Sequence, residues 1–201
     1  MNTLVVPTAL RALLPEGSVV ACAAGRCERN ALLFRRGERP VWMFYVVSGE
    51  VVLERPGRQG DAVILQRTRA GFVSEASLRM RSYHCDARAT TDTVVIKLPV
   101  AGLAAALERD PAFAARWIDM LNAEVRRLRL HCERLTIKSV RERLLHLIET
   151  EGQAGRYPLP SGLKTLAAEL GVTHEALYRT VAALEGAGRL TRGDGELVLT
   201  G

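Results

Sequence analysis

Residues 163–188 read LKTLAAELGVTHEALYRTVAALEGAG, and their spacing decides what the C-terminal third of the chain is. Leu163, Leu166, Ala167 and Leu170 fall on one face of a two-turn helix, Gly171 breaks it, and the Thr173 hydroxyl can cap the helix that follows. Ala167 is small where two helices cross closely, Gly171 can take the left-handed backbone of a turn, and Val172, Leu177, Val181 and Leu184 supply apolar contacts. The pattern is that of a helix-turn-helix. Its second helix starts at Thr173 and turns His174, Glu175, Tyr178 and Arg179 outward, with Glu175 and Arg179 side by side at i,i+4. An Arg there can donate two hydrogen bonds to guanine O6 and N7, and a Glu can accept from cytosine N4, so the pair suits a step containing a G·C pair. The alternative is an exposed ion pair along one helix, worth a few tenths of a kcal/mol, or about 0.3.

Downstream, GRLTRGDGELVLTG alternates apolar and polar residues around Gly193-Asp194-Gly195, a hairpin signal that completes a winged helix. Arg189 and Arg192 lie in this hairpin, where they either touch phosphates or are simply solvated; Arg192 is counted among the DNA-binding candidates.

Upstream the period changes. AFAARWIDMLNAEVRRLRLHCERL, residues 112–135, runs without Gly or Pro and predicts one long helix. Ala114, Ile118, Leu121, Val125, Leu128, Cys132 and Leu135 alternate in steps of four and three, the a/d seam of a coiled coil held for about three heptads. Such a seam predicts a homodimer, whereas a helix that buried all these residues within one subunit would leave nothing for a partner. Trp117 and Met120 lie off the seam and are assigned to packing against the helix's own β domain. Before this helix, VAGLAAALERD reads as a shorter one, ended at Asp110-Pro111.

From about Ser18 to Leu98 the chain consists of short runs rich in Val, Ile, Phe and Tyr: ALLF, VWMFYVV, EVVLE, AVILQ and TVVIKL. Gly37, Gly49, Gly57, Gly60 and Gly71 punctuate them as tight turns do, which predicts a small antiparallel all-β domain.

The 201 residues allow one medium and one small domain, and 28 Lys and Arg against 22 Asp and Glu give a charge of +6 that favours a polyanionic partner. No apolar run approaches the roughly 20 residues that span a bilayer, and the N-terminal stretch has no secretory signal, so a cytoplasmic protein without membrane contact is expected. Cys22, Cys27, Cys85 and Cys132 are too few and scattered for a disulfide scaffold, and the Cys22-x4-Cys27 spacing matches no recognised cluster run. They are read as ordinary thiols, with a redox-responsive role as the alternative and Cys132 on the seam as its focus. His84 and Cys85, placed on a strand, point to opposite faces and so form no nucleophile pair. No Gly-rich nucleotide loop, paired-histidine metal motif or nucleophile elbow occurs, so no enzyme, catalytic residue or metal is expected.

With these readings in place, the chain resembles the Crp/Fnr family of bacterial transcription regulators over nearly its whole length. LFRRGE, YVVSGEV, GDAVILQ, AGFVSEASL and ARATTD are similar to pieces of that family's β-roll and occur in its order; SVRERLLHLI and LAAELGVTHEALYRTVAALEGAGRL resemble its linker helix and DNA-binding module. The resemblance implies an α+β protein with a cyclic-nucleotide-binding-like jelly roll at residues 1–110, a dimerisation helix at 111–137 and a winged helix-turn-helix at 138–201. It implies double-stranded DNA, a second copy of the chain and RNA polymerase as partners, and carries base-reading roles onto Glu175 and Arg179. Position 174 departs from the cyclic AMP receptor protein, which has Arg there.

The same resemblance points to an effector pocket. In cyclic-nucleotide-binding relatives a Gly-Glu-Leu turn and an Arg-Ser pair hold ribose and phosphate, and polar residues of the central helix reach the adenine. Here the turn is Ser74-Glu75-Ala76, the pair is Arg81-Ser82, and Leu128 and Arg129 stand where Thr and Ser are wanted. The expectation is an altered pocket with no cofactor and an effector other than cyclic AMP, or a constitutively competent protein; a cyclic nucleotide is the alternative. Arg129 either attracts another anion or pairs with Glu75.

Overall fold

The computed structural model describes residues 5–15, 22–57 and 62–200. The expected start of the strand region at Ser18 and the turn at Gly60 lie outside the described residues. Two compact units emerge: the described residues of 1–55 and 65–124 make up the first, and those of 56–64 and 125–201 the second.

Helix α1 (Thr8–Leu13) precedes strands β1 (Ala23–Cys27), β2 (Leu32–Phe34), β3 (Trp42–Ser48), β4 (Val51–Pro56), β5 (Ala62–Thr68), β6 (Gly71–Phe72), β7 (Asp86–Ala89) and β8 (Thr93–Pro99), then helices α2 (Val100–Arg109) and α3 (Pro111–Thr136); the first unit takes these elements except the end of β4, the start of β5 and α3 beyond residue 124, which group with the second. The strands form two four-stranded sheets ordered β1-β8-β3-β6 and β2-β7-β4-β5. Period-two alternation sorts β3 into two cores. Phe44 and Val46 pack with Val95 of their own sheet and with Phe34, Val51, Leu53 and Ala87 of the other. Met43 and Tyr45 face the opposite way, toward Leu10, Leu98, Leu103, Phe113 and Trp117. Covered on both sides, Met43 through Val46 are all buried, which is why VWMFYVV reads as one apolar run.

Gly49 makes the β3–β4 turn at φ +89°, and a Cβ on it would sit 2.5 Å from the Asp92 carbonyl oxygen, so no other residue fits. The next residue, Glu50, is fully buried. Its carboxylate accepts from Arg67 Nη1 at 2.6 Å, Arg69 Nε at 2.8 Å and the Thr90 hydroxyl at 2.7 Å, which anchors this turn to two further segments of the roll.

The second unit holds α4 (Val140–Glu151), β9 (Arg156–Pro158), α5 (Gly162–Glu169), α6 (His174–Gly186), β10 (Leu190–Gly193) and β11 (Glu196–Leu199). Leu144, Leu147 and Ile148 of α4 form one core with Leu163, Leu166 and Leu170 of α5, Leu177, Val181 and Leu184 of α6, and Leu190 and Leu197 of the hairpin. The Ser139 hydroxyl accepts from Glu142 N at 3.3 Å and caps α4. The hairpin turns at Asp194 (φ +49°) and Gly195 (φ +72°), as the Asp-Gly signal predicts, and β9 adds a third strand in the order β10-β11-β9. This is a winged helix.

Several elements escape the sequence reading: α1, β1, β6, β7 and β9. His84 and Cys85 are a correction of another kind, since they occupy a bend before β7 rather than a strand. His84 is exposed there and Cys85 fully enclosed, so they still form no pair.

Candidate nucleic-acid interface

The turn between α5 and α6 is built by backbone hydrogen bonds. Val172 N donates to Ala167 O at 3.0 Å and Gly171 N to Ala168 O at 3.3 Å, the paired bonds of a Schellman motif, with Gly171 at φ +64° supplying its left-handed residue. Arg143 of α4, which the sequence reading missed, reinforces the turn: its Nη1 donates to Leu170 O at 2.9 Å while its Nε donates to Ile137 O. Nothing in the RERLL run signals that role, because it depends on how α4 lies against the end of α5.

Helix α6 starts from Thr173, whose hydroxyl oxygen accepts from Ala176 N at 3.2 Å. Leu177, Val181 and Leu184 are buried, and that one fact orients the helix: Thr173, His174, Glu175, Tyr178 and Arg179 are all exposed on the other side. The Glu175 carboxyl is held below the usual carboxylate range chiefly by its own backbone N–H and next by the Thr173 hydroxyl, with His174 and Arg179 contributing least. Its charge is thus kept at the N-terminal turn of α6, where the helix dipole favours it.

Exposed Arg192 of β10 sets its guanidinium 5.4 Å from the Tyr178 ring centroid and its Nε 3.6 Å from Glu185 Oε1; Arg189 is exposed as well. Glu185 is a second residue the sequence reading overlooked, although its i+7 spacing from Tyr178 is visible in the chain.

On α3, Ile118, Val125, Leu128 and Leu135 are 36 to 56% exposed, and Cys132 is exposed too. Leu121 differs from the seam expectation: it packs in part against the first unit's core together with Met120, beside buried Trp117. The helix is wound so that Phe113, Trp117 and Met120 meet that core, and Leu121 lies at its margin.

The effector candidates divide between the two units: Ser74, Glu75, Ala76, Arg81 and Ser82 belong to the first, Leu128 and Arg129 to the second. Ser74 precedes a 3-10 turn, Glu75–Ser77, at a negative φ of −141°, so the position does not demand a glycine. Its hydroxyl faces inward, accepting from Phe44 N at 3.3 Å and lying 3.2 Å from Met43 Sδ. Glu75 is buried, Ala76 and Arg81 are exposed and Ser82 is half-buried. Leu128 and Arg129 are exposed on the part of α3 that groups with the second unit.

Burial pushes the Cys22 and Cys27 thiols up, and pushes Cys85 to about 11, which disfavours the reactive thiolate. No group of three metal-ligating side chains occurs among the described residues, and no described helix is long and apolar enough to cross a membrane.

Residues 25–110 match the cyclic nucleotide-binding domain family. The chain also superposes on solved structures along most of its length. FixK2 of Bradyrhizobium japonicum shares 22% identity at a TM-score of 0.76, covering 90% of this chain and 93% of its own. A CooA variant from Carboxydothermus hydrogenoformans shares 20% at 0.74, covering 98% and 93%. A CRP/FNR-family transcriptional regulator of Thermus thermophilus shares 21% at 0.68, covering 89% and 94%. No curated protein sequence matches the chain. The chain therefore has the fold of the Crp/Fnr-type transcription regulators, with a cyclic nucleotide-binding-type β-roll at its front.

Proposed function

We propose that the chain is a sequence-specific DNA-binding transcription regulator that acts as a homodimer on a two-fold symmetric site. The observation that carries this reading is the orientation of α6, which buries Leu177, Val181 and Leu184 and leaves Glu175 and Arg179 exposed on one outer face. Arg179 donates to guanine O6 and N7, Glu175 accepts from cytosine N4, and Thr173, His174, Tyr178 and Arg192 line the rest of the contact. The net charge of +6 adds sequence-independent attraction to the phosphates.

Dimerisation is assigned to the exposed stripe Ile118, Val125, Leu128, Cys132 and Leu135, with Leu121 at its edge. Apolar residues held at a/d spacing and exposed in one subunit are the expected face of a paired helix. The effector is taken to be something other than cyclic AMP, or to be dispensable. The inward-facing Ser74 hydroxyl and the apolar Leu128 support that choice, since neither offers the donors a nucleotide phosphate or adenine requires. Contact with RNA polymerase and a cytoplasmic setting belong to the same proposal.

Genomic footprinting of the purified protein, repeated with candidate small molecules and with oxidant, tests the reading. Discrete protected sites are expected, and uniform weak binding to all DNA would overturn it.

A further inference from the structure

We propose that Tyr178 is a positioning residue that holds the wing arginine, Arg192, beside the recognition helix, so that helix and wing offer the DNA backbone one continuous cationic edge. The inference rests on the DNA-binding reading above and gives Tyr178, placed there only at the edge of the contact, a specific role.

The geometry begins in the hairpin. Arg192 lies two residues beyond buried Leu190 and directly opposite buried Leu197, so alternation places all three on the face turned toward the core of this unit. Its side chain therefore leaves the hairpin toward α6. There it meets two residues that share one side of the helix: Tyr178, with the guanidinium carbon 5.4 Å from the ring centroid, and Glu185, seven residues on, with Oε1 3.6 Å from Arg192 Nε. The ring is braced from the N-terminal side by His174, whose centroid lies 5.9 Å away at i−4.

Neither anchor alone explains the arrangement. An exposed pair at 3.6 Å contributes little to folding, and a guanidinium over a Tyr ring that is 48% exposed contributes only modestly. Together they fix a long, flexible arginine at the junction of wing and helix. The ring face attracts the guanidinium without occupying its N–H groups, and the Glu185 contact, long at 3.6 Å and made through Nε, leaves the terminal amino groups for a phosphate.

The test is equilibrium binding of the full chain to a selected site and to random DNA over a range of salt, with Tyr178→Ala, Tyr178→Phe, Arg192→Ala and the Tyr178→Ala/Arg192→Ala double variant. Arg192→Ala is expected to weaken both DNAs alike and to lower the slope of log affinity against log salt by about 0.9, one phosphate contact. Tyr178→Ala should weaken both by about two- to fivefold, Tyr178→Phe, which keeps the ring face and loses only the hydroxyl, should weaken binding less than Tyr178→Ala and keep the parent's salt slope, and the double variant should lose no more than Arg192→Ala alone. Losses that multiply in the double variant, a Phe variant as weak as the Ala variant, or a Tyr178→Ala loss confined to the selected site would each overturn the proposal. Failure of the parent chain to bind any DNA would instead remove the functional reading beneath it.

Discussion

Arg134, fully buried in the last turn of α3, sets its Nη2 2.5 Å from Oε1 of Glu151, the last residue of α4. The same nitrogen donates to the Thr150 hydroxyl at 3.2 Å. The end of the helix assigned to dimerisation is thereby bolted to the first helix of the winged domain by a charge pair that water does not reach on the arginine side. Glu151→Ala leaves that cation buried without its counter-charge, and a loss of about 3 to 5 kcal/mol in urea unfolding is expected. A loss within the scatter of surface substitutions would mean that the pair is solvated.

His131 lies one turn before Arg134 on α3. Burial, the largest influence, holds its imidazole below the ordinary histidine value; Glu169 and Glu151 oppose that shift, and Arg134 and Arg127 reinforce it. A folded-state value below the unfolded one means that the unfolded chain takes up the proton first. Its contribution to stability is therefore complete above the unfolded value of 6.5 and is lost as pH falls from there through the lowered folded value. His131→Gln should make unfolding less sensitive to pH between about 5 and 7; an unchanged pH profile would show that this side chain does not titrate with folding.

Gly171→Ala should cost about 1 to 2 kcal/mol, because φ of +64° is unfavourable for any residue with a Cβ and the new methyl would lie 3.3 Å from Leu135 Cδ2. Thermal unfolding measures the loss, and DNA affinity should fall with it as α6 shifts. A neutral substitution would mean the turn relaxes freely.

Arg179→Ala should weaken binding to the cognate site by about 1 to 3 kcal/mol and relax discrimination at one base pair. Selection of binding sites by parent and variant reads this directly. Equal losses on cognate and random DNA would assign Arg179 to phosphate contact.

The winged helix was legible because its signals are local: Thr173 caps α6, Gly171 makes the turn, and Asp194-Gly195 closes the hairpin, each within a few residues of what it controls. The roll was legible where strands carry Val, Ile or Phe, and illegible where pairing alone makes the strand. AAGRC becomes β1 by pairing with β8 along its length, and DARA becomes β7 by pairing with β2 on one side and β4 on the other. Helix α1 is six residues after Pro7, too short for its period to register. In the candidate site, the outward residues of α6 followed from its apolar face. The Arg143 bond to Leu170 O and the Arg192–Tyr178–Glu185 cluster did not, because each joins segments whose approach is set by packing. Leu121 keeps the heptad spacing yet packs in part against its own core beside Trp117 and Met120, a contact set by the β domain and not by the spacing.

The paired reading of DNA is tested most directly by hydroxyl-radical footprinting on a selected genomic fragment, with the mass of the complex measured in parallel. Two protected stretches centred roughly 34 to 36 Å apart and bound by two chains are expected, with loss of the paired pattern in Val125→Glu/Leu128→Glu, which sets like charges across the exposed stripe. A single protected half-site occupied by one chain, or an unchanged complex with the double variant, would contradict it.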